Sequence, residues 1–444
     1  MNSFESTDDD RCRTDALRAL SPAADASGSG NPGDSLATTR PIWRPRLAFG
    51  VVVIIAGLIT AGTSVLTPLL SMFEEELNVT SAQVVLLFAS YTLGIIVALL
   101  WTAVFRSRIA VQDRLIIAVV LAIVAAVSFA STTSFILLLV ARVTSGLAFG
   151  AVTSTAVSAL VALDGEGNRQ RSAVTAVAAN FTGLAVGAIF GGLISSIDGG
   201  SRQLPFLVLA IVTSFLLPVL IGVRGEIGRA VRHEPTSARG GLSRALGHLD
   251  ARSRPVFMRS VILSGIAFPA NALASVSASY YFASELGISG RTAAGIAVGL
   301  GFLATAAGQM IVRRLTARAN QITARVVLSV GVTALFLSLL FPSWALFLSG
   351  SVITGVGTGV ATGSGLSSIT VLPDRLELAG LTNRYYVILY LGLFFPITAL
   401  GLLEMSVGVA AGTAVACLVC LAALLASIFG LPSSRRTCST DAGS

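Results

Sequence analysis

From residue 47 to about Phe429 the chain is apolar almost without interruption, and that property limits what it can become. Backbone N–H and C=O groups in hydrocarbon must find partners within their own segment, which leaves the helix as the spanning element for such runs. A spanning helix takes about 20 mainly apolar residues at a rise of about 1.5 Å each. Short polar breaks divide the run into twelve stretches of that size. They are 47–73, 82–104, 115–132, 135–161, 172–197 and 204–223, then 260–283, 292–312, 322–341, 344–371, 384–403 and 407–429. An all-α membrane protein with twelve transmembrane helices is expected. Residues 1–46 differ: they are rich in Ser, Gly, Asp and Pro, include Asp8, Asp9 and Asp10, and lack the apolar core of a signal peptide. They read as a disordered cytoplasmic tail.

Arginine positions test the count and set an orientation, because inside loops carry the basic residues. The stretch before the first span has Arg40, Arg44 and Arg46, and the 2–3 loop has Arg106, Arg108 and Arg114. Arg169 and Arg171 fall in the 4–5 loop, and Arg313, Arg314, Arg318 and Arg325 around the 8–9 loop. The 10–11 loop adds Arg375 and Arg384, and the end of the chain Arg435 and Arg436. The opposite loops hold only Arg202 and Arg291. An odd number of spans would destroy this asymmetry, so both termini are expected in the cytoplasm.

A polar gap at 224–259, with Arg229, Arg232, His233, Arg239, Arg244, Arg252 and Arg254, separates two halves of similar length. It reads as a basic linker lying on the anionic inner leaflet. The expected organisation is a tail (1–46), a six-helix bundle (47–223), the linker (224–259), a second six-helix bundle (260–430) and a short cytoplasmic tail (431–444). Six spans, a basic linker and six more spans suit a transporter built from two repeats. A shift of about 213 residues supports the repeat, since it lays Arg142–Gly150 on Gly355–Gly363.

Composition removes competing classes. Charged residues make up 12% of the chain, about half the share a soluble domain needs to face water. All 30 of the Lys and Arg residues are Arg, so there is no Walker-type phosphate loop and no Schiff-base lysine. The net charge of +8 belongs to topology rather than to nucleic acid. The four cysteines, Cys12, Cys417, Cys420 and Cys438, are too scattered for a metal site, and no cofactor or enzymatic activity is expected. The glycine run Gly355–Gly365 has no strand before it, so it reads as close helix packing rather than a dinucleotide loop.

The fourth span places Arg142, Gly146 and Gly150 near one helix face. Small residues at this spacing let backbones approach in lipid, while an arginine within a span should face a cavity or a partner. The fifth span carries Asn180, Gly183, Gly187, Gly191 and Gly192. In these features the chain resembles the major facilitator superfamily, whose fourth span has an arginine followed by glycines at this spacing. The fifth-span glycines are similar to a motif of its drug:proton antiporters, although Gly192 stands where a proline is usual. The superfamily's 2–3 loop motif is degenerate: of its polar positions only Arg108 survives, with Ser107 in place of the aspartate and Ala103 and Ala110 in place of glycines. The run Asn383–Gly392 with Pro396 is also similar to eleventh spans of actinobacterial members. The resemblance covers about 47–430. It implies two pseudo-symmetric six-helix bundles, and a monomer in a bacterial plasma membrane that exports a small organic molecule by alternating access.

What drives such transport is not written in the spans. Proton coupling usually needs a titratable group inside the bilayer. Both histidines lie in the linker, and the acids fall in loops, tails or span ends, as with Glu74–Glu76 and Glu404. Protons are a candidate coupling ion, with an uncoupled facilitator, an uptake carrier for a weak organic anion, or a non-transporting membrane subunit as alternatives. The expected cavity lining is neutral and aromatic: Tyr91, Asn180, Asn271, Tyr280, Gln309, Tyr385, Tyr386 and Tyr390, with Arg142 and Arg384 as fixed positive charges. An aromatic belt at the membrane interfaces competes for the tyrosines. Pro68, Pro218, Pro269 and Pro396 are expected to mark kinks, and Gly355 and Gly359 to pack the tenth span.

Overall fold

Apolar stretches of about 20 residues can satisfy their own backbone groups only by coiling, and they do so throughout. A computed structural model describes residues 43–104, 108–164, 169–196, 201–232, 254–282, 290–312, 315–370 and 378–429. Among these residues every regular element is a helix. Twelve helices are long and apolar enough to cross a membrane. In the first half these are Arg44–Leu70, Gln83–Val104, Val111–Ala130, Phe135–Leu163, Val174–Ile194 and Leu204–Val231. In the second they are Phe257–Ala278, Arg291–Ile311, Arg318–Leu340, Trp344–Ser368, Leu381–Val407 and Val409–Ser427. We call the face at which the first span starts and the twelfth ends the terminal face, and the opposite one the distal face.

Two helices depart from the simplest reading for local reasons. The first span breaks into Trp43–Ser64 and Leu66–Leu77. Pro68 explains the position, because a proline ring collides with the carbonyl four residues earlier, here that of Ser64. Pro218, Pro269 and Pro396 lie within continuous helices. The sixth helix runs to Arg232, past the point where hydropathy falls at Arg224. Arg229 donates to Glu226 one turn back, at 2.5 Å, as the helix leaves its apolar stretch.

The same packing scheme is used twice. The first span packs on the fourth, fifth and sixth, and the seventh packs on the tenth, eleventh and twelfth. The second and third pack on the fourth as the eighth and ninth pack on the tenth; the third meets the sixth as the ninth meets the twelfth. The match reaches single residues. Gly94 lies against the carbonyl of Val143, and Gly308 against that of Val356; Gly146 lies against the carbonyl of Tyr91, and Gly359 against that of Thr305. Each pair is displaced by 213 or 214 positions, the interval found in the sequence. The two most extensive contacts between the halves, the fifth span with the eighth and the second with the eleventh, also exchange under this repeat; smaller ones set Leu66–Leu77 against the seventh and eighth spans and the fifth span against the tenth.

Large apolar side chains such as Ile54, Ile136, Phe215 and Val419 remain exposed, as lipid-facing positions must. Other glycines of the spans make close contacts as well. A methyl at Gly150 would strike Ile95 and Ala98 of the second span. At Gly183, Gly187 and Gly191 it would strike Gly57 and Thr60, Ala61 and Ser64, and Val65 of the first. Gly355 lies against the carbonyl of Gly301, where the tenth span rests on the eighth.

A candidate substrate cavity between the halves

Odd-numbered spans run from the terminal to the distal face and even-numbered ones return, so residue numbers give depth. A cavity of about 40 Å³, room for a few water molecules, lies between the halves. The fourth and fifth spans supply Phe149, Thr153, Val177, Asn180, Phe181 and Leu184. The seventh, eighth and tenth supply Phe268, Gln309, Thr362, Gly363, Leu366 and Ser367. The eleventh supplies Tyr385, Tyr386, Leu389 and Tyr390. Gln309 and Leu366 are near the ends of returning helices and Tyr385 near the start of an outgoing one, so the cavity is displaced toward the terminal face.

Its wall is a chain of rings. Phe149 meets Tyr390 edge-on at 6.1 Å between centroids, Tyr390 meets Phe268 at 5.6 Å, and Phe268 meets Phe181 at 6.2 Å. These four rings come from four different spans and both halves. Polar groups interrupt the wall. Asn180 donates from Nδ2 to Thr153 Oγ1 at 3.4 Å, a long bond, and its Oδ1 has no partner among the described residues. Gln309 is 1% exposed, and its Nε2 likewise has no partner there. Tyr385 is committed elsewhere, donating to Ser264 Oγ at 2.8 Å. Among the described residues, no Asp, Glu, Arg or His lines it.

Beyond the cavity the distal side is closed. Ser196 Oγ and Thr292 Oγ1 are 2.7 Å apart, joining the end of the fifth helix to the start of the eighth. Thr292 Oγ1 also donates to the Gly192 carbonyl at 3.2 Å, and Arg291 Nη1 to that of Ser195 at 3.4 Å. Gly192 and Gly295 let the two backbones meet there. The second and eleventh spans touch near both faces, through Gly401 against Val85 distally and Asn383 Nδ2 donating to the Leu99 carbonyl at 3.0 Å toward the terminal face. Arg202 is tied to Glu76 at 2.8 Å and donates to the Thr132 carbonyl at 2.9 Å, so both arginines expected on this face hold helix ends together.

The structure thus places Asn180, Gln309, Tyr385 and Tyr390 around one cavity, with Tyr386. Arg142 is elsewhere. It is buried in a smaller pocket with Leu66, Thr67, Leu70, Leu87 and Phe88, where Nη1 donates to the Thr63 carbonyl at 3.0 Å. Its guanidinium lies over the Tyr91 ring at 4.3 Å, so it links the first, second and fourth spans. Arg384 turns away from the cavity and lies over Phe257 at 5.8 Å. Neither guanidinium supplies the positive lining expected of them. Asn271 is buried on the seventh span outside the lining, and the side chain of Tyr280 lies outside those described. Arg108 is exposed in the 2–3 loop, and residues 105–107 beside it lie outside the described residues.

Sequence reasoning missed Phe149, Phe181, Phe268, Thr153 and Thr362. A phenylalanine in an apolar helix carries no mark that separates a cavity face from a lipid face. Gly94 and Gly308 were findable, because they are glycines 214 positions apart, close to the repeat interval.

Twelve spans in two equivalent sets, enclosing a cavity lined from both, define a polytopic carrier-like membrane protein. The model of the Major Facilitator Superfamily matches residues 52–383, well over half of the chain, and the chain belongs to that family. No curated protein matches it. Membership makes it a membrane transporter of small solutes.

Proposed function

We propose that the chain is a secondary active transporter that exports a small organic molecule by alternating access, with the central cavity as its binding site. One observation carries this reading: a cavity lined by both halves, with the fifth and eighth helices joined across its distal side. At about 40 Å³ the cavity admits an organic solute only when the halves part on the terminal side. Arginine asymmetry supports a cytoplasmic terminal face in a plasma membrane, so loading would occur from the cell interior. The moving halves would be 47–223 and 260–430, joined by the basic linker 224–259, and the chain would work as a monomer.

A second reading, an uncoupled facilitator, is favoured by the lining, which includes no carboxylate or histidine among the described residues. Purified protein in liposomes with an imposed pH gradient separates the two. Coupled export predicts solute accumulation against its gradient that stops on adding a protonophore. Equilibration at the same rate with and without protonophore overturns coupling and leaves the facilitator.

A further inference from the structure

Resting on the transporter reading, and deepening it, we propose that the cavity selects neutral aromatic compounds bearing a carboxamide-like group, and that Asn180 and Gln309 read that group. The two side chains come from the fifth and eighth spans, one from each half, and both line the cavity. Asn180 is 7% exposed and Gln309 1%. Between them, among the described residues, the one hydrogen bond to a side chain is the long Asn180–Thr153 contact. The Oδ1 of Asn180 and the Nε2 of Gln309 have no partner there.

Leaving a buried polar atom unpaired is unfavourable, so two such groups facing one cavity favour a solute that offers them both a donor and an acceptor. Every amide offers an N–H donor and a carbonyl acceptor whichever way it is turned, so the conclusion does not hang on O/N assignment. The complement is a group with its own donor and acceptor side by side: a primary carboxamide, a lactam or a urea. Tyr385 does not compete for it, because its hydroxyl already donates to Ser264.

Charge discriminates next. Among the described residues no ionised side chain lines the cavity, and Arg142 and Arg384 are engaged with rings outside it. A carboxylate or ammonium would enter without a counter-ion in a low-dielectric interior, which is strongly unfavourable. The ring chain Phe149–Tyr390–Phe268–Phe181 supplies faces and edges for an aromatic body. Amide recognition and aromatic packing then act together.

The test uses four probes of one shape, 2-naphthamide, 2-acetylnaphthalene, 2-naphthoate and 2-naphthylmethylammonium, titrated calorimetrically into purified full-length protein. The proposal predicts that 2-naphthamide binds at least about tenfold more tightly than either ion. It should also bind about tenfold more tightly than the ketone, which has the carbonyl without the N–H. Asn180→Leu and Gln309→Leu should each weaken 2-naphthamide about tenfold and leave the ketone nearly unchanged. An ion that binds as well as the amide, an amide that does not bind, or folded variants that bind it undiminished would overturn the proposal. If a variant fails to fold, the ranking of the four probes on the unaltered protein still decides. Exchange of the amide into proteoliposomes is measured alongside: the predicted ranking without protein-dependent exchange would sink the transporter reading while leaving recognition intact.

Discussion

Arg142 is a cation deep within an apolar bundle, held among its described neighbours by a carbonyl and an aromatic face rather than by an acid. Each contact is modest alone; a desolvated cation over a ring contributes up to about 2 kcal/mol. Together they connect three helices that any relative movement of the first, second and fourth spans must respect. Replacing Arg142 by Ala is expected to reduce transport at least tenfold with membrane insertion and yield unchanged; a variant with full activity would remove the residue from the mechanism. At this scale, polar residues were the legible part of the site. Asn180 and Gln309 stand out in apolar spans because hydrocarbon tolerates them only where they face a cavity or a partner. Arg384 stood out for the same reason, yet its partner is Phe257, and sequence cannot tell a cavity from a neighbouring ring. The aromatic wall was illegible because every span is apolar on all sides.

Among the elements, the helices were read from hydropathy to within a few residues, and the errors have local causes. The break at Ser64 follows from Pro68, while the sixth helix outlasts its apolar stretch with the Glu226–Arg229 pair on its extension. Glycine positions make a sharper prediction, since their role depends on what faces them. A methyl at Gly183 would strike Gly57 and Thr60, whereas at Gly62, on the first span, it would meet nothing within 4 Å. Gly183→Ala should therefore destabilise the protein by about 1–3 kcal/mol, the usual cost of overpacking. Gly62→Ala should be neutral or slightly stabilising, because alanine is the better helix former. Thermal unfolding in detergent checks both; equal melting temperatures would mean that the first and fifth spans do not pack as described.

The two sets of six spans repeat one scheme, and their glycine crossings recur at an interval visible in the sequence. What the sequence did not show is which contacts join the halves, because the 5–8 and 2–11 pairings bring together residues about 100 and 300 positions apart. Those contacts decide whether the halves can move. The account's central claim is that transport requires the distal contact between the fifth and eighth helices to open and reclose. Ser196 and Thr292 have side-chain oxygens 2.7 Å apart there, well away from the cavity lining. With Cys12, Cys417, Cys420 and Cys438 replaced by Ser, the double variant Ser196→Cys/Thr292→Cys should transport when reduced. It should lose at least about nine-tenths of that activity on oxidation and regain it with reductant, while each single variant is indifferent to oxidation. Undiminished transport through a protein shown to be fully cross-linked would contradict the claim.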